Sequence, residues 1–338
     1  MNFRSDNTAP AAPEIIAALT RVNEHAAPAY GEDQWSKRLD EEFSTVFERE
    51  VRVFTVASGT AANAISVASL TPPWGAVLCH REAHIECDEC GAAEFYSGGA
   101  KLVLIEGEEA KISPFALREA IVRNERGIHS VTPAVVSVSQ TTERGGVYSI
   151  AEISALGHVA KEAGLGVHMD GARFGNAVAA LGCKPADITW RAGVDLLSFG
   201  ATKNGAIAAE AIICFDMNKA EEVARRRKRS GHLFSKGRFV AAQLLAYLED
   251  GLWLKLARRS NAQATRLAEA AGPHLSHKAL SNQIFIKPGE AGIAKLRAAG
   301  AEFYDWGPKG SGEARLVVSW NQSDVDIDKM CELLASLR

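Results

Sequence analysis

The sequence predicts an α/β protein: a large unit on a mostly parallel, seven-stranded sheet, followed by a smaller C-terminal α+β unit. Three observations carry this expectation. Seven short runs rich in β-branched and aliphatic residues recur with helical patterns between them, at 51–56, 76–79, 102–105, 134–138, 165–169, 195–199 and 211–215. They are almost continuously apolar rather than alternating, as strands covered on both faces must be. After about residue 247 the rhythm changes to long helical patterns, 253–271 and 323–337, flanking two short strand candidates, 283–287 and 316–320. Finally, 338 residues exceed one ordinary compact core. The expected division is residues 1–247, including an N-terminal arm, and residues 248–338. No proline- or serine-rich linker separates them, so a continuous helix around 235–249 is the expected connection.

Start signals support the helices between strands. Ser113-Pro114 offers an N-cap with proline in the first turn, and Ser149-x-x-Glu152 is a capping box. Composition narrows the function. Lys plus Arg number 38 against 41 Asp plus Glu, a net charge of −3, which argues against a nucleic-acid binder needing a basic footprint. No run of about 20 apolar residues exists to span a membrane. The first residues, Met1 to Asp6, lack the apolar core of a secretory signal, so a cytoplasmic location is expected. Six cysteines (79, 87, 90, 183, 214 and 331) stand in apolar or helical contexts, and no disulfide is expected. Cys87-Asp-Glu-Cys90 has the spacing of half a zinc site but no second pair, so a helical turn is the better reading and no metal is expected.

Three separated segments point at one cofactor. Asp170-Gly171-Ala172-Arg173 follows the apolar run ending at Met169, placing a carboxylate at the rim where α/β sheets bind ligands. It could pair with a pyridinium nitrogen. The run ending at Phe199 leads into Gly200-Ala-Thr-Lys203-Asn-Gly205, a lysine in a small-residue loop at the same rim and a candidate Schiff-base former. Ser58-Gly59-Thr60 closes another strand and opens a helix, where exposed N–H groups and the helix dipole suit a phosphate. Alone, each reads as a cap, a solvated lysine or a surface ion pair. Together they are the three grips that pyridoxal 5′-phosphate requires.

At this point the chain resembles the threonine aldolases, low-specificity L-threonine and phenylserine-type enzymes among the fold-type-I pyridoxal-phosphate proteins, a group that includes β-eliminating lyases. The resemblance runs through Arg4-Ser5-Asp6-Asn7, Tyr30-Gly31-Glu32-Asp33, Ser58-Gly59-Thr60, Ala83-His84-Ile85, His168-Met-Asp170-Gly-Ala-Arg173, Lys203 and Arg315. It implies that Lys203 holds the cofactor and that Asp170 keeps its ring nitrogen protonated. It further implies that Ser58, Gly59 and Thr60 bind the phosphate and that His84 stacks on the ring or shuttles a proton. Ser5, Tyr30, Arg173 and Arg315 are implied at the substrate, the arginines clamping its carboxylate. Arg173 is also counted among the cofactor contacts.

The implied reaction is retro-aldol cleavage of L-threonine, L-allo-threonine and related β-hydroxy-α-amino acids to glycine and an aldehyde. Its base must take the β-hydroxyl proton, and His84 is the first candidate. Where family members carry a histidine in an Asn-Thr-His segment, this chain reads Val-Ser-Gln140-Thr-Thr-Glu, which puts Gln140 in the histidine's place. Glutamine can hydrogen-bond the hydroxyl but cannot titrate, so a water held by His84 or Asp88 is a substitute. Rival readings are a β-eliminating lyase or racemase acting on other amino acids, and a non-catalytic binding protein on the same scaffold. Family sites are built from two chains. A homodimer or homotetramer is therefore expected, with Tyr30–Asp33 reaching across and one of Lys228, Arg229, Lys236 or Arg238 contacting phosphate in trans. The run Arg225–Arg229 reads as a helix whose side chains point all round the cylinder.

Overall fold

In the computed structural model, which describes residues 1–337, seven strands form one sheet. They are β1 (Arg52–Val56), β2 (Gly75–His80), β3 (Lys101–Ile105), β4 (Thr132–Ser139), β5 (Gly166–Gly171), β6 (Leu196–Gly200) and β7 (Glu210–Cys214), ordered β1-β7-β6-β5-β4-β2-β3. Pairings from β3 through to β6 are parallel; only β7 is reversed, lying antiparallel to both β6 and β1. Every strand lies within two residues of its expected position. Strands β2, β6 and β7 are buried at each residue, which is why they read as unbroken apolar runs.

The helices begin where their chemistry says. Ser113 Oγ accepts the Ala116 N–H at 3.1 Å and opens Pro114–Asn124. Ser149 and Glu152 satisfy each other's backbone amides and open Ile150–Glu162. Beneath the sheet an aromatic nucleus forms, with Phe43 edge-on to Phe199 at 5.1 Å and Phe47 edge-on to Phe215 at 5.0 Å. Such pairs contribute about 0.5–1.5 kcal/mol beyond the area they bury.

Three antiparallel strands, β8 (Gln283–Ile286), β9 (Tyr304–Trp306) and β10 (Glu313–Val317), form a second sheet in the order β8-β10-β9. Helices Leu252–Ala271, Gly289–Ala298 and Asp324–Ala335 cover it, and Leu267, Ile284, Leu296, Leu316 and Met330 pack between. Two expectations shift. The strand expected at 316–320 lies earlier, at 313–317, because Val318 already turns its N–H to the Asn282 carbonyl outside the ladder. The expected continuous helix at 235–249 is Arg238–Leu248; Asp250 at φ 51° and Gly251 at φ 67° break it before Leu252. Left-handed residues cannot propagate a right-handed helix.

The first residues of the arm reach this smaller sheet. Phe3 is fully buried, gives its N–H to Glu302 and accepts the N–H of Val317. That anchor carries Ser5–Asn7 over the carboxyl edge of the large sheet. Among the described residues, no helix is long and apolar enough to cross a membrane.

Candidate active site

At the carboxyl edge of the parallel strands lies a cavity of about 260 Å³, lined from β1's end by Ser58–Thr60, from β4's by Ser139, and from β5's by Asp170. Lys203, just past β6, and Glu210, the first residue of the reversed β7, complete that rim. Ligands of α/β sheets bind at such edges because loops and helix N-termini converge there.

Ser58 caps the helix Gly59–Leu70 by accepting the Ala61 N–H at 3.2 Å. The N–H groups of Gly59 and Thr60 belong to a first turn that has no intrahelical acceptor, so they present donors and the positive dipole end to the cavity. Asp170 is buried and accepts the Asn63 amide at 2.8 Å and the Ala172 N–H at 2.9 Å. Burial alone would raise its pKa, but His84, the Ala172 N–H and Lys203 outweigh that and hold the carboxyl below its ordinary value. Behind it, His168 is wedged between Ser137 Oγ at 2.9 Å and Ser198 Oγ at 3.0 Å, and burial pushes its pKa down to about 4. It is therefore a neutral spacer.

Asn63 spends its side-chain NH₂ on two carboxylates, Asp170 and Glu89 Oε1, both at 2.8 Å. Glu89 Oε1 also meets His84 Nδ1 at 2.7 Å. That bond, against the opposing effect of burial, raises the His84 pKa. Neither Asn63 nor Glu89 was singled out from sequence. Asn63's signal is an amide one turn inside an otherwise small and apolar helix; Glu89's is an acid between Cys87 and Cys90, where Cys87 closes the short helix His84–Cys87.

The Lys203 pKa is lowered, first by burial and then by the Arg173 cation, with Asp6, Asp170 and Glu210 opposing. A depressed amine is a better nucleophile at neutral pH. Glu210 accepts the Thr202 N–H at 3.3 Å, and burial pushes its pKa up to about 7. Arg173 is forked onto buried Asp6, Nε to Oδ2 at 2.7 Å and one terminal nitrogen to Oδ1 at 2.9 Å; Asn282 donates to Asp6 Oδ2 at 3.0 Å. Arg315, on β10, stands 5.0 Å from the Trp306 ring centroid and 5.9 Å from that of Tyr304. Its Nε is buried without an acceptor, and burial with the nearby Arg173 cation lowers its pKa.

The structure thus brings Ser58, Gly59, Thr60, His84, Asp170, Arg173 and Lys203 to one cavity. Others among the expected site residues stand elsewhere. Ser5 caps the short turn Asp6–Thr8 through the Asn7 N–H at 3.2 Å, and it is Asn7 that lines the cavity. Tyr30 is 54 % exposed, at φ 57°, with the Lys228 ammonium 4.9 Å over its ring. The Arg225–Arg229 run lies on helix Ala220–Arg229, with Arg227 turned inward to Thr55 O at 2.6 Å and Thr55 Oγ1 at 2.7 Å. Gln140 requires a correction. It is 0 % exposed and absent from the cavity wall. Its amide donates to Tyr148 O and accepts the Tyr148 N–H, both at 2.9 Å. In its place, Ser139, Thr141, Thr142 and Glu143 face the cavity.

These residues suit a phosphorylated pyridoxal. The helix start offers N–H donors to an anion, Asp170 offers a negative oxygen at a fixed position, and Lys203 offers an amine. Three lining side chains hold buried polar atoms without partners, Asn63 Oδ1, Thr141 Oγ1 and Glu143 Oε2, as expected where a polar ligand completes the wall. Among the described residues, no cluster of three or more His, Cys, Asp or Glu could hold a metal ion.

Comparison with known proteins agrees. The profile of the family described as Beta-eliminating lyase matches residues 2–284. A low specificity L-threonine aldolase of Pseudomonas aeruginosa is 42 % identical across 99 % of this chain and 96 % of its own length. One from a Pseudomonas species has the same identity and coverage. The solved threonine aldolase of Leishmania major superposes with a TM-score of 0.93 at 29 % identity, covering 99 % of both chains. With its fold and nearly its whole length shared in this way, the chain belongs to the Beta-eliminating lyase family, alongside the low-specificity L-threonine aldolases.

Proposed function

We propose that this protein is a pyridoxal-phosphate-dependent aldehyde-lyase that cleaves L-threonine, L-allo-threonine and related β-hydroxy-α-amino acids to glycine and an aldehyde. The observation that carries the reading is the convergence of a half-buried amine, a buried carboxylate and a capped helix start on one cavity, which Arg173 also lines. Lys203 would hold the cofactor's carbonyl carbon, Asp170 its ring nitrogen, and Ser58, Gly59 and Thr60 its phosphate, with His84 on a ring face. When bound, the cofactor supplies an electron sink at the substrate's Cα.

The protein's own residues then orient and protect. Arg173 and Arg315 would grip the substrate carboxylate, with Ser5 and Asn7 closing that side; fixing the carboxylate decides which Cα bond aligns for cleavage. Asp6 offsets one guanidinium so that two cations tolerate each other before substrate arrives. The Glu89–Asn63–Asp170 chain fixes the imidazole and the ring-nitrogen carboxylate relative to each other. We place the enzyme in the cytoplasm as a homodimer or homotetramer, with Tyr30–Asp33 and the basic residues Lys228, Arg229, Lys236 and Arg238 at the neighbouring chain's site. Supporting this, Tyr30 and Lys228 already form one surface pair, and Arg238 Nε is buried without an acceptor.

The test is acetaldehyde release from L-threonine by purified, cofactor-loaded protein. Aldehyde and glycine in equal amounts are the expected result. Pyruvate and ammonia from serine, with no aldehyde from threonine, would overturn it in favour of β-elimination.

A further inference from the structure

Resting on that reading, we propose that Glu143, rather than His84 or Gln140, accepts the β-hydroxyl proton of the substrate, through its unpartnered Oε2. Glu143 lines the same cavity as Asp170, His84 and Lys203. Its other oxygen, Oε1, is spoken for: Ser139 Oγ donates to it at 2.6 Å and the His84 backbone N–H at 3.0 Å. Those two donors pin the carboxylate, while Oε2 is buried with no partner in the protein. A fixed carboxylate on the wall of a ligand cavity, with one oxygen left unpaired, is what proton abstraction requires.

The alternatives are otherwise engaged, Glu210 on the cavity wall among them, since it accepts the Thr202 N–H at 3.3 Å beside Lys203. His84 Nδ1 meets Glu89 at 2.7 Å, a pairing that favours the charged imidazole, which has no lone pair to offer a proton. Gln140 is sealed against Tyr148. Thr142 Oγ1 donates to Glu109 O at 2.8 Å, and a threonine hydroxyl does not titrate near neutrality. Lys203 is the group that holds the cofactor.

Electrostatics agrees with the geometry. The titratable groups around Glu143 are Asp170 on β5, His84 and Cys87 on the short helix His84–Cys87, Cys79 on β2, and Tyr148 on the segment before Ile150. The adjacent Arg144 guanidinium is turned to Glu82, at 2.7 and 3.2 Å, and does not neutralise it. Burial foremost, with Asp170 adding, pushes the Glu143 pKa up to about 7. A base is most effective when its pKa lies near the working pH.

The step balances. The hydroxyl proton passes to Glu143 Oε2, the Cβ–O bond becomes a carbonyl, and Cα–Cβ breaks with its electron pair left on the Cα side. A proton later added at Cα restores neutrality, so threonine yields glycine and acetaldehyde with no external oxidant or reductant.

Glu143→Gln keeps an acceptor for Ser139 and His84 but removes the base. Three quantities are read: kcat for L-threonine against pH, glycine affinity by calorimetry, and Tm. The expected result is a kcat drop of roughly 10²–10³-fold, glycine affinity within about threefold of wild type, and loss of the wild-type acid limb near pH 7. A kcat within about threefold of wild type overturns the assignment, and so does a parallel loss of glycine affinity, the mark of a scaffold role. Should the variant not fold, the wild-type profile still decides: kcat flat from about pH 5.5 to 8 overturns the proposal. Wild-type protein that releases no acetaldehyde would sink the aldolase reading and this proposal together, whereas an active wild type with an unimpaired variant sinks only the role of Glu143.

Discussion

Gln140→Met separates a structural from a catalytic role at a position where sequence alone suggested catalysis. Methionine keeps nearly the same volume, so the change removes hydrogen bonds without opening a large cavity. In the wild type the amide satisfies both the N–H and the C=O of Tyr148, each at 2.9 Å, with Gln140 fully buried. Stranding a buried backbone group costs about 1–3 kcal/mol, so two stranded groups cost roughly 2–6 kcal/mol. At roughly 2 cal/mol/K of unfolding entropy per residue, a chain of this size would lose about 3–9 °C in Tm. The assay pairs a thermal melt with kcat on L-threonine at a temperature where the variant remains folded. The expected outcome is the lowered Tm with kcat within about fivefold of wild type. An unchanged Tm accompanied by loss of turnover would refute the reasoning and return Gln140 to the chemistry.

Lys203→Ala should abolish turnover and the visible absorbance of the loaded enzyme, because a half-buried amine with a depressed pKa is the nucleophile proposed for the cavity; near-normal rate with that band intact would remove Lys203 from its role. Arg315→Ala should raise KM and lower kcat together, by roughly 2–5 kcal/mol in kcat/KM, since the lost guanidinium both binds and orients the carboxylate; unchanged steady-state kinetics would exclude it. Asp6→Asn should cost about 3–5 kcal/mol of stability at neutral pH by leaving Arg173 buried and unpaired. Burial alone would raise the Asp6 pKa, but Arg173, Lys203 and Asn282 more than offset it, so the folded value lies below the unfolded one. The wild type's advantage is therefore full above the ordinary aspartate value of about 4 and disappears as pH falls through the depressed one; a Tm gap that stays constant from pH 7 into that range would contradict this.

Strands were legible because a doubly covered sheet demands unbroken apolar runs, and the chemistry-bearing residues because they sit directly after those runs, as Asp170 follows Met169 and Lys203 follows Gly200. What sequence could not show was the course of the turn after β4. The strand ends at Ser139, so counting residues against a family pattern reaches Gln140, while the bend that follows turns Thr141, Thr142 and Glu143 to the cavity beside Ser139. Long-range polar partners were equally hidden. Asp6 finds Arg173 from 167 positions away, and Asn63 meets Asp170 across 107, with neither pairing leaving a local pattern. β9 was missed because a three-residue, largely exposed strand carries too little apolar signal.

The charges in and around the cavity fall along two paths. Lys203, Arg173 and Arg315 would repel one another unscreened, and Asp6 lies where it can lower the cost for all three: it forks onto Arg173 and attracts both Lys203 and Arg315. On the other path, Asp170, Glu89 and Glu143 would repel likewise, and there the Asn63 amide and His84 supply the compensating donors. On the proposed reading a zwitterionic amino acid fits that division, its carboxylate toward Arg173 and Arg315, whose Nε is orphaned, and its β-hydroxyl toward the orphaned Oε2 of Glu143. A ligand lacking either group would leave one of those buried atoms unpaired, which is how a site with few direct contacts still discriminates.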